Sequence, residues 1–267
     1  MCNPMMRSSG IMKYCLLVGS LVAVMSSGCD SGGKQKRSWS RPATPIRYKL
    51  PAGDVPLNVR ESLHPWIAEF LDLTPAQATE RLHERWSTIQ RPSLVALRKT
   101  LAEFEVRSIV DYQEGGMIYA VRPNADENIV GNSFYLPGPI DPKELKGRLD
   151  SVSLAENECV FEFLTYFAGL AEDTTTSGNF VYRETPWPTF TDSWEGKIKG
   201  FDEWENALMI YCARNGCHVL VRPNGNVAWW VMQERLVREE WADFDEFVLK
   251  FNAHRKISYP FDPYCPD

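Results

Sequence analysis

Residues 217–232, CHVLVRPNGNVAWWVM, hold the clearest local signal in the chain. Two apolar runs flank Asn224-Gly225, a dipeptide that favours the type I′ turn of a β-hairpin because both central residues need positive φ. A two-residue loop at this point predicts that Val219 lies opposite Trp230. Both faces of the hairpin are largely apolar, so we expect it to be covered on both sides or to present a side chain to a partner.

Helix and strand patterns lie on both sides of this hairpin. Asp202 and Glu205 resemble a capping box, which predicts a helix that buries Trp204, Leu208 and Tyr211. The other predicted elements are helices at 63–71, 74–89, 92–104, 142–149, 154–170 and 243–252, and strands at 106–112, 117–122, 133–136 and 179–183. This mixture predicts an α+β fold in which a mixed or antiparallel sheet is flanked by helices.

The N-terminus has the pattern of an export signal. Residues 14–25, YCLLVGSLVAVM, are 12 apolar or small residues preceded by Lys13. This run is too short to cross a bilayer, which takes about 20 residues, but it suits a secretory signal peptide over residues 1–28. The following SSGC resembles a bacterial lipoprotein signal, which implies that Cys29 carries the lipid. An ordinary secretory signal is the alternative.

Residues 29–56 have the composition of a flexible tether. They are rich in Ser, Gly and Pro, and six Lys or Arg residues outnumber two Asp residues. We expect a disordered, lipid-tethered linker whose positive charge is attracted to anionic headgroups. The membrane is therefore one expected partner, and the bacterial cell envelope, facing the periplasm or the exterior, is the expected location.

The rest of the chain is acidic and of ordinary globular composition. The whole chain is 44% hydrophobic and 24% charged, which argues against general disorder. From residue 57 onward, 21 basic and 33 acidic side chains give a net charge of −12. Such a body repels a phosphate backbone, so nucleic acid is excluded as a partner. We divide it into a helical and β-hairpin region at 57–150, an α+β region at 151–257 and a tail at 258–267.

The cysteines outside the signal are even in number. Cys159, Cys212, Cys217 and Cys265 permit two disulfides with three possible connectivities in an exported protein. Four free, buried thiols are the alternative. In either case these cysteines bear on stability and do not identify a function.

Catalytic and cofactor motifs are absent from the sequence. No HExxH, CxxC, GxGxxG, P-loop or GxSxG pattern occurs. Cys217 and His218 are adjacent on a predicted strand, so their side chains point to opposite faces and cannot act as a nucleophile and its base. Zinc would lack a fourth ligand at Cys212, Cys217 and His218. We therefore predict no catalytic residues, no metal and no cofactor.

Tryptophans are the best candidates for a binding surface. Exposed tryptophans are frequent hot spots at protein interfaces, and aromatic platforms also bind sugars. Trp187 and Trp194 lie in a loop-rich stretch, and Trp229 lies in the hairpin. We predict that these three residues contact the partner, the alternative being that they belong to the core.

The order of features in the second region resembles the SUKH superfamily, which includes bacterial toxin-immunity proteins and eukaryotic cell-wall synthesis regulators. The phrases concerned are FEFLTYFAGL at 161–170, YCARNGCHVLVRPNGNVAWW at 211–230 and DFDEFVLKF at 243–251. The resemblance implies an α+β fold and a non-enzymatic, protein-binding role for an unidentified partner. A carbohydrate- or peptidoglycan-binding protein of the envelope is the second hypothesis, and an enzyme with an unrecognised site is the third.

Overall fold

A computed structural model of the chain describes residues 45–111, 115–127, 129, 131–172, 178–182, 187–190, 202–213, 217–231 and 234–256. All of them lie in one compact unit, residues 40–267. The predicted signal peptide, the lipidation candidate Cys29, Trp194 and the tail with Cys265 fall outside the described residues. Among the residues that are described, no helix is both long and apolar enough to span a membrane.

Helices and antiparallel strands make up the described part of the chain. The helices are α1 (Leu57–Ser62), α2 (Pro65–Ala68), α3 (Pro75–Trp86), α4 (Pro92–Leu101), α5 (Pro142–Ser151), α6 (Glu158–Phe167) and α7 (Phe244–Lys256). The strands are β1 (Ile46–Lys49), β2 (Glu105–Asp111), β3 (Met117–Val121), β4 (Ser133–Pro137), β5 (Asn179–Phe180), β6 (Leu208–Cys212), β7 (His218–Val221), β8 (Val227–Val231) and β9 (Leu236–Trp241).

The strands form two antiparallel sheets that one residue joins. The first sheet has the order β1-β2-β3-β4 and the second the order β5-β6-β7-β8-β9. Ala171 bridges Tyr135 of β4 on one side and Asn179 of β5 on the other. The amide of Tyr135 donates to the carbonyl of Ala171 at 2.8 Å, and the return bond is 2.9 Å. The predicted α+β class is confirmed, with the antiparallel form of the sheet.

Helix starts follow local chemistry that the sequence displays. Thr74 caps α3 through a complete capping box with Gln77, and Pro75 occupies the first helical position. Asp141 caps α5 by accepting hydrogen bonds from the amides of Lys143 and Glu144. The capped helices predicted at 74–89 and 142–149 are confirmed, with ends that differ by two or three residues.

One hydrophobic core fills the helix-bearing side of the sheets. It runs from Ile67 in α2 and Leu97 in α4, through Phe163 in α6, to Val219 in β7 and Phe251 in α7. The regions that we separated at residue 150 therefore share a core. Two smaller clusters lie apart from it. The cluster in the first sheet contains Tyr119 and Tyr135, together with Val110, Met117, Val121 and Ala171. The cluster in the second sheet contains Trp230, together with Phe190, Trp204, Ala207, Met209, Leu220 and Ala228.

The hairpin exists, but its predicted register is wrong by one residue. Val219 lies opposite Trp229 and not opposite Trp230. A two-residue loop would make Pro223 a ladder residue that has to donate an N–H, and proline has none. The chain instead closes at Arg222, whose amide donates to the carbonyl of Asn226 at 2.9 Å. The shift turns Trp229 toward the main core and Trp230 toward the smaller cluster.

The helix predicted after Asp202 is also wrong. The capping residues start only the single 3₁₀ turn Asp202–Trp204, and the chain then enters β6. A bulge between Met209 and Tyr211 allows Leu208 and Tyr211 to reach the same core, which imitates the spacing of a helix.

The tether is shorter than predicted at its C-terminal end. Residues 46–49 form β1, which pairs with β2 from Ile46 opposite Asp111 to Lys49 opposite Ser108. Leu50 and Val55 are buried in the main core. Neither this edge strand of the first sheet nor β9, at an edge of the second sheet, was predicted from the sequence.

Candidate functional site

Two of the three predicted binding tryptophans are core residues. Trp187 is 2% exposed and Trp229 is 0% exposed. The indole N–H of Trp187 donates to the carbonyl of Tyr182 at 3.1 Å, and Trp229 packs on the helix side of β8. Neither ring can present a face to a partner in this structure, so the prediction for both residues is wrong. Trp194 lies outside the described residues.

Three of the four candidate disulfide cysteines, Cys159, Cys212 and Cys217, form no disulfide in the described part of the chain. Cys159 and Cys217 are buried, and Cys212 is partly buried. Burial raises the pKa of the Cys159 thiol, and the carboxylate of Asp245 beside it acts in the same direction. A thiol held in its neutral form is a poor nucleophile, so Cys159 acts as a packing residue.

Metal-ligating side chains do not cluster in the described part of the chain, and the histidine on β7 is held in its neutral form. No three side chains among its His, Cys, Asp and Glu residues are arranged to hold a metal ion. The ring of His218 stacks on Trp230 with 6.0 Å between centroids. Burial lowers the pKa of His218 to about 4, so the imidazole is neutral at pH 7.

A buried ion pair fastens the joint between the two sheets. Arg255 is 1% exposed and Glu172 is 3% exposed, and their nearest atoms, Nη1 and Oε1, are 3.1 Å apart. The hydroxyl of Tyr211 donates to the other carboxylate oxygen at 2.7 Å, and Nη2 of Arg255 donates to the carbonyl of Ser133 at 3.1 Å. Because each charge has its counter-charge within the fold, this cluster is structural.

A groove of about 860 Å³ runs along α3 to the start of β2. Its lining includes Glu80, His83, Glu84 and Glu105. Burial lowers the pKa of His83, so the ring is neutral at pH 7 and does not compensate the glutamates. Glu80 and Glu84 are exposed to water, and the hydroxyl of Ser87 donates to the carbonyl of Glu84 at 2.6 Å.

A partly exposed cluster at the meeting point of α2, α3 and α6 has the chemistry of a binding site. We call it the Arg85 patch, and its members are Trp66, Arg85, Thr88, Thr165 and Tyr166. The guanidinium carbon of Arg85 lies 4.5 Å from the centroid of the Trp66 ring. The hydroxyls of Thr88 and Tyr166 are hydrogen-bonded at 2.8 Å. Thr88 is exposed, and the other four side chains are partly exposed.

Local sequence explains how the elements present these side chains. His64 caps α2 by accepting a hydrogen bond from the amide of Trp66 at 3.1 Å, and Pro65 starts the helix. Trp66 then packs edge-to-face on Phe70, with centroids 4.9 Å apart. Arg85 lies in the last turn of α3 and reaches the carbonyl of Thr165 near the end of α6, at 2.8 Å.

Arg85 carries a positive charge without a counter-charge. Its Nη2 donates to the Thr165 carbonyl, whereas its Nη1 is enclosed and has no acceptor. No carboxylate of the described residues forms a salt bridge with it. Burial lowers the pKa of Arg85 to about 10, although the neighbouring Tyr166 and Tyr182 favour the charged form. The guanidinium therefore stays charged at pH 7 in a poorly solvated place.

Other arginines of similar burial are compensated. Most of them pair with a carboxylate, and the described pairs are Arg91 with Glu162 and Asp245, Arg122 with Glu103, Arg148 with Glu144, Arg222 with Glu203, and Arg255 with Glu172. Arg98 forms no such pair, but its Nη1 donates to the two carbonyls of Trp86 and Ser87 at the end of α3. Arg222 and Arg255 also enclose an Nε without an acceptor, so Arg85 differs from them in lacking a carboxylate among the described residues, and it differs from Arg98 in its enclosed Nη1.

No family model, curated protein or solved structure matches the chain. The resemblance of roughly residues 155–252 to the SUKH superfamily thus rests on the quoted phrases alone. No pattern in the sequence predicted the Arg85 patch. The one local signal was His64-Pro65-Trp66, a capped helix start with a tryptophan, whereas nothing near Arg85 or Tyr166 in the sequence distinguishes them.

Proposed function

We propose that this chain is a membrane-tethered protein of the bacterial cell envelope whose structured domain binds a partner protein through the Arg85 patch. The tether rests on the signal-like residues 14–25 and on Cys29, the lipid-carrying candidate. The binding role rests on the patch itself. Its single strongest observation is that the charge of Arg85 is largely buried among aromatic rings and lacks a carboxylate among the described residues.

The composition of the patch favours a protein partner. Trp, Tyr and Arg are the residue types enriched at interface hot spots, where an aromatic or arginine anchor lies inside a rim of weaker contacts. Trp66 and Tyr166 supply the aromatic surface, Arg85 the central cation, and Thr88 an exposed polar rim. Singly exposed apolar residues such as Leu249 offer no comparable combination.

The resemblance to the SUKH superfamily supports the same, non-enzymatic reading. That resemblance covers roughly residues 155–252, whereas Trp66 and Arg85 come from the region before it. The proposed binding surface therefore belongs to the whole domain, because α6 supplies Thr165 and Tyr166 to a patch that α2 and α3 begin. The carbohydrate hypothesis loses support, since Trp187 and Trp229 are not exposed.

Site-specific photocrosslinking in the native membrane tests the binding role. A photoreactive residue at Thr88, on the rim, is expected to capture one partner as a defined adduct. The same residue at Leu249, which is 50% exposed on α7, is the matched control and should capture none. Adding Trp66→Ala to the Thr88 probe should reduce the adduct at least about tenfold, as expected for a hot spot. Equal adducts from both positions, or no effect of Trp66→Ala in a folded variant, would refute the proposal.

Acylation tests the tether separately. Cys29→Ser should abolish incorporation of labelled fatty acid and release the mature chain from the membrane fraction, because two or three acyl chains anchor a protein firmly. Cys159→Ser, at a buried thiol of the domain, is the control and should leave labelling intact. Labelling that persists in Cys29→Ser would contradict the lipoprotein assignment.

A further inference from the structure

An enclosed guanidinium with a free donor is costly to the folded protein. A buried charge without a counter-charge destabilises the fold unless hydrogen bonds replace those lost from water. Arg85 has one such replacement, the Thr165 carbonyl, and its Nη1 has none among the described residues. The Trp66 ring, 4.5 Å from the guanidinium carbon, recovers part of the loss through a cation–π contact.

We infer that the Arg85 patch is a carboxylate-binding site, and that the group it takes is the C-terminal carboxylate of the partner protein. This inference rests on the proposed function. A carboxylate supplies the two acceptor oxygens and the negative charge that the described neighbours of Arg85 do not.

The arrangement of the patch indicates how such a group would bind. One face of the guanidinium is covered by the Trp66 ring, so the carboxylate has to approach in the guanidinium plane, where two parallel hydrogen bonds can form. Trp66 lies in α2, a helix of only four residues, and the ring is partly exposed. Because Nη1 is enclosed, binding requires a side chain of the patch to change rotamer, and Trp66 is only partly buried.

The aromatic rings add a second requirement. The Trp66 ring covers the cation and Tyr166 lies at the same patch, so the apolar surface there favours a C-terminal residue with an aromatic or aliphatic side chain. A carboxylate attached to an apolar group should therefore bind better than acetate. This combination defines the probe, N-acetyl-L-phenylalanine, which carries a carboxylate beside a phenyl ring.

The test compares this probe with its uncharged amide on the full-length chain in detergent. At 20 mM and constant ionic strength, the carboxylate should raise the unfolding temperature by about 2 °C, as expected for a dissociation constant of about 10 mM, and the amide should not. Because no substitution is needed, folding of a variant does not limit this comparison. Equal shifts from carboxylate and amide would overturn the inference, and a larger shift from inorganic phosphate would replace carboxylate by phosphate as the ligand.

Two substitutions then locate the effect. Arg85→Gln should remove the shift caused by the probe, and Arg85→Lys should retain less than half of it, because an ammonium group cannot form the planar pair of bonds. Arg98→Gln is the matched control, since Arg98 is also partly buried without a salt bridge but has two carbonyl acceptors. An unchanged shift in Arg85→Gln, or its loss in Arg98→Gln, would overturn the inference. Because this assay needs no partner protein, its failure is distinguishable from a failure of the crosslinking experiment.

Discussion

His218 lies on β7 with its ring stacked on Trp230. Burial lowers its pKa to about 4, whereas a histidine in an unfolded chain has a pKa near 6.5. The same cause acts on Arg85, but the guanidinium keeps its charge because its pKa of about 10 is still far above neutral pH. Burial therefore leaves the His218 imidazole neutral at pH 7 and the Arg85 guanidinium charged. Only the guanidinium needs a counter-ion.

The lowered pKa of His218 predicts acid sensitivity. Between pH 6.5 and pH 4 the unfolded chain binds a proton that the folded protein does not, so stability falls as the pH falls through this window. His218→Gln should remove about 3 kcal/mol of the loss between pH 7 and pH 4. Urea unfolding at a series of pH values measures this loss of stability. Burial also lowers the pKa of His83, so His83→Gln is the second variant of the series. Parallel pH curves for wild type and His218→Gln would contradict the assignment.

At the scale of elements, turns and caps explain both the successes and the errors of the sequence analysis. Thr74 and Asp141 act within a few residues of the chain, so the helices that they cap were predictable. The hairpin register depends on which residue next to the turn must donate an N–H, and Pro223 decides it. The turn preference of Gly225 and the missing N–H of Pro223 are both local properties. The correct hairpin register could therefore have been predicted from the sequence.

Substitution of two glycines by alanine should change the stability of the fold in opposite directions. Gly225 has φ of +92°, and an added Cβ would lie 3.1 Å from Nδ2 of Asn157. Gly225→Ala should therefore destabilise the fold by about 1–2 kcal/mol. Gly147 lies within α5, where an added Cβ meets nothing within 4 Å, so Gly147→Ala should stabilise by about 0.5–1 kcal/mol. The free energies of unfolding of the two variants, measured in urea, test this contrast. A loss of stability in both would show that α5 does not tolerate the change.

At the scale of the whole molecule, the candidate site could not have been predicted. Its parts come from positions 66, 85 and 166, which belong to three helices and meet only because one core joins both regions. Counting tryptophans led instead to Trp187 and Trp229, whose size makes them core residues here. The α+β class was predictable because it depends on local periodicity, whereas the site depends on packing over long separations.

The joint between the sheets is where a single charge should affect the whole domain. Glu172→Gln leaves Arg255 buried without its counter-charge and should cost about 3–5 kcal/mol in the free energy of unfolding. Glu162→Gln is the matched control, because its partner Arg91 keeps Asp245 and lies nearer the surface, and it should cost about 1 kcal/mol or less. Denaturant unfolding measures both. Similar losses in the two variants would show that the joint is not special.

The edge strand β1 has a mechanical consequence. It is the first strand after residue 45, and among the described strands it pairs with β2 alone, through four residue pairs. Any pulling force that reaches the domain through the preceding residues is therefore applied at Ile46, at one end of this short ladder. Pairs at the end of an antiparallel ladder open one after another, so tension would peel β1 away before it strains the core. Under tension, β1 would therefore detach while the rest of the domain stays folded.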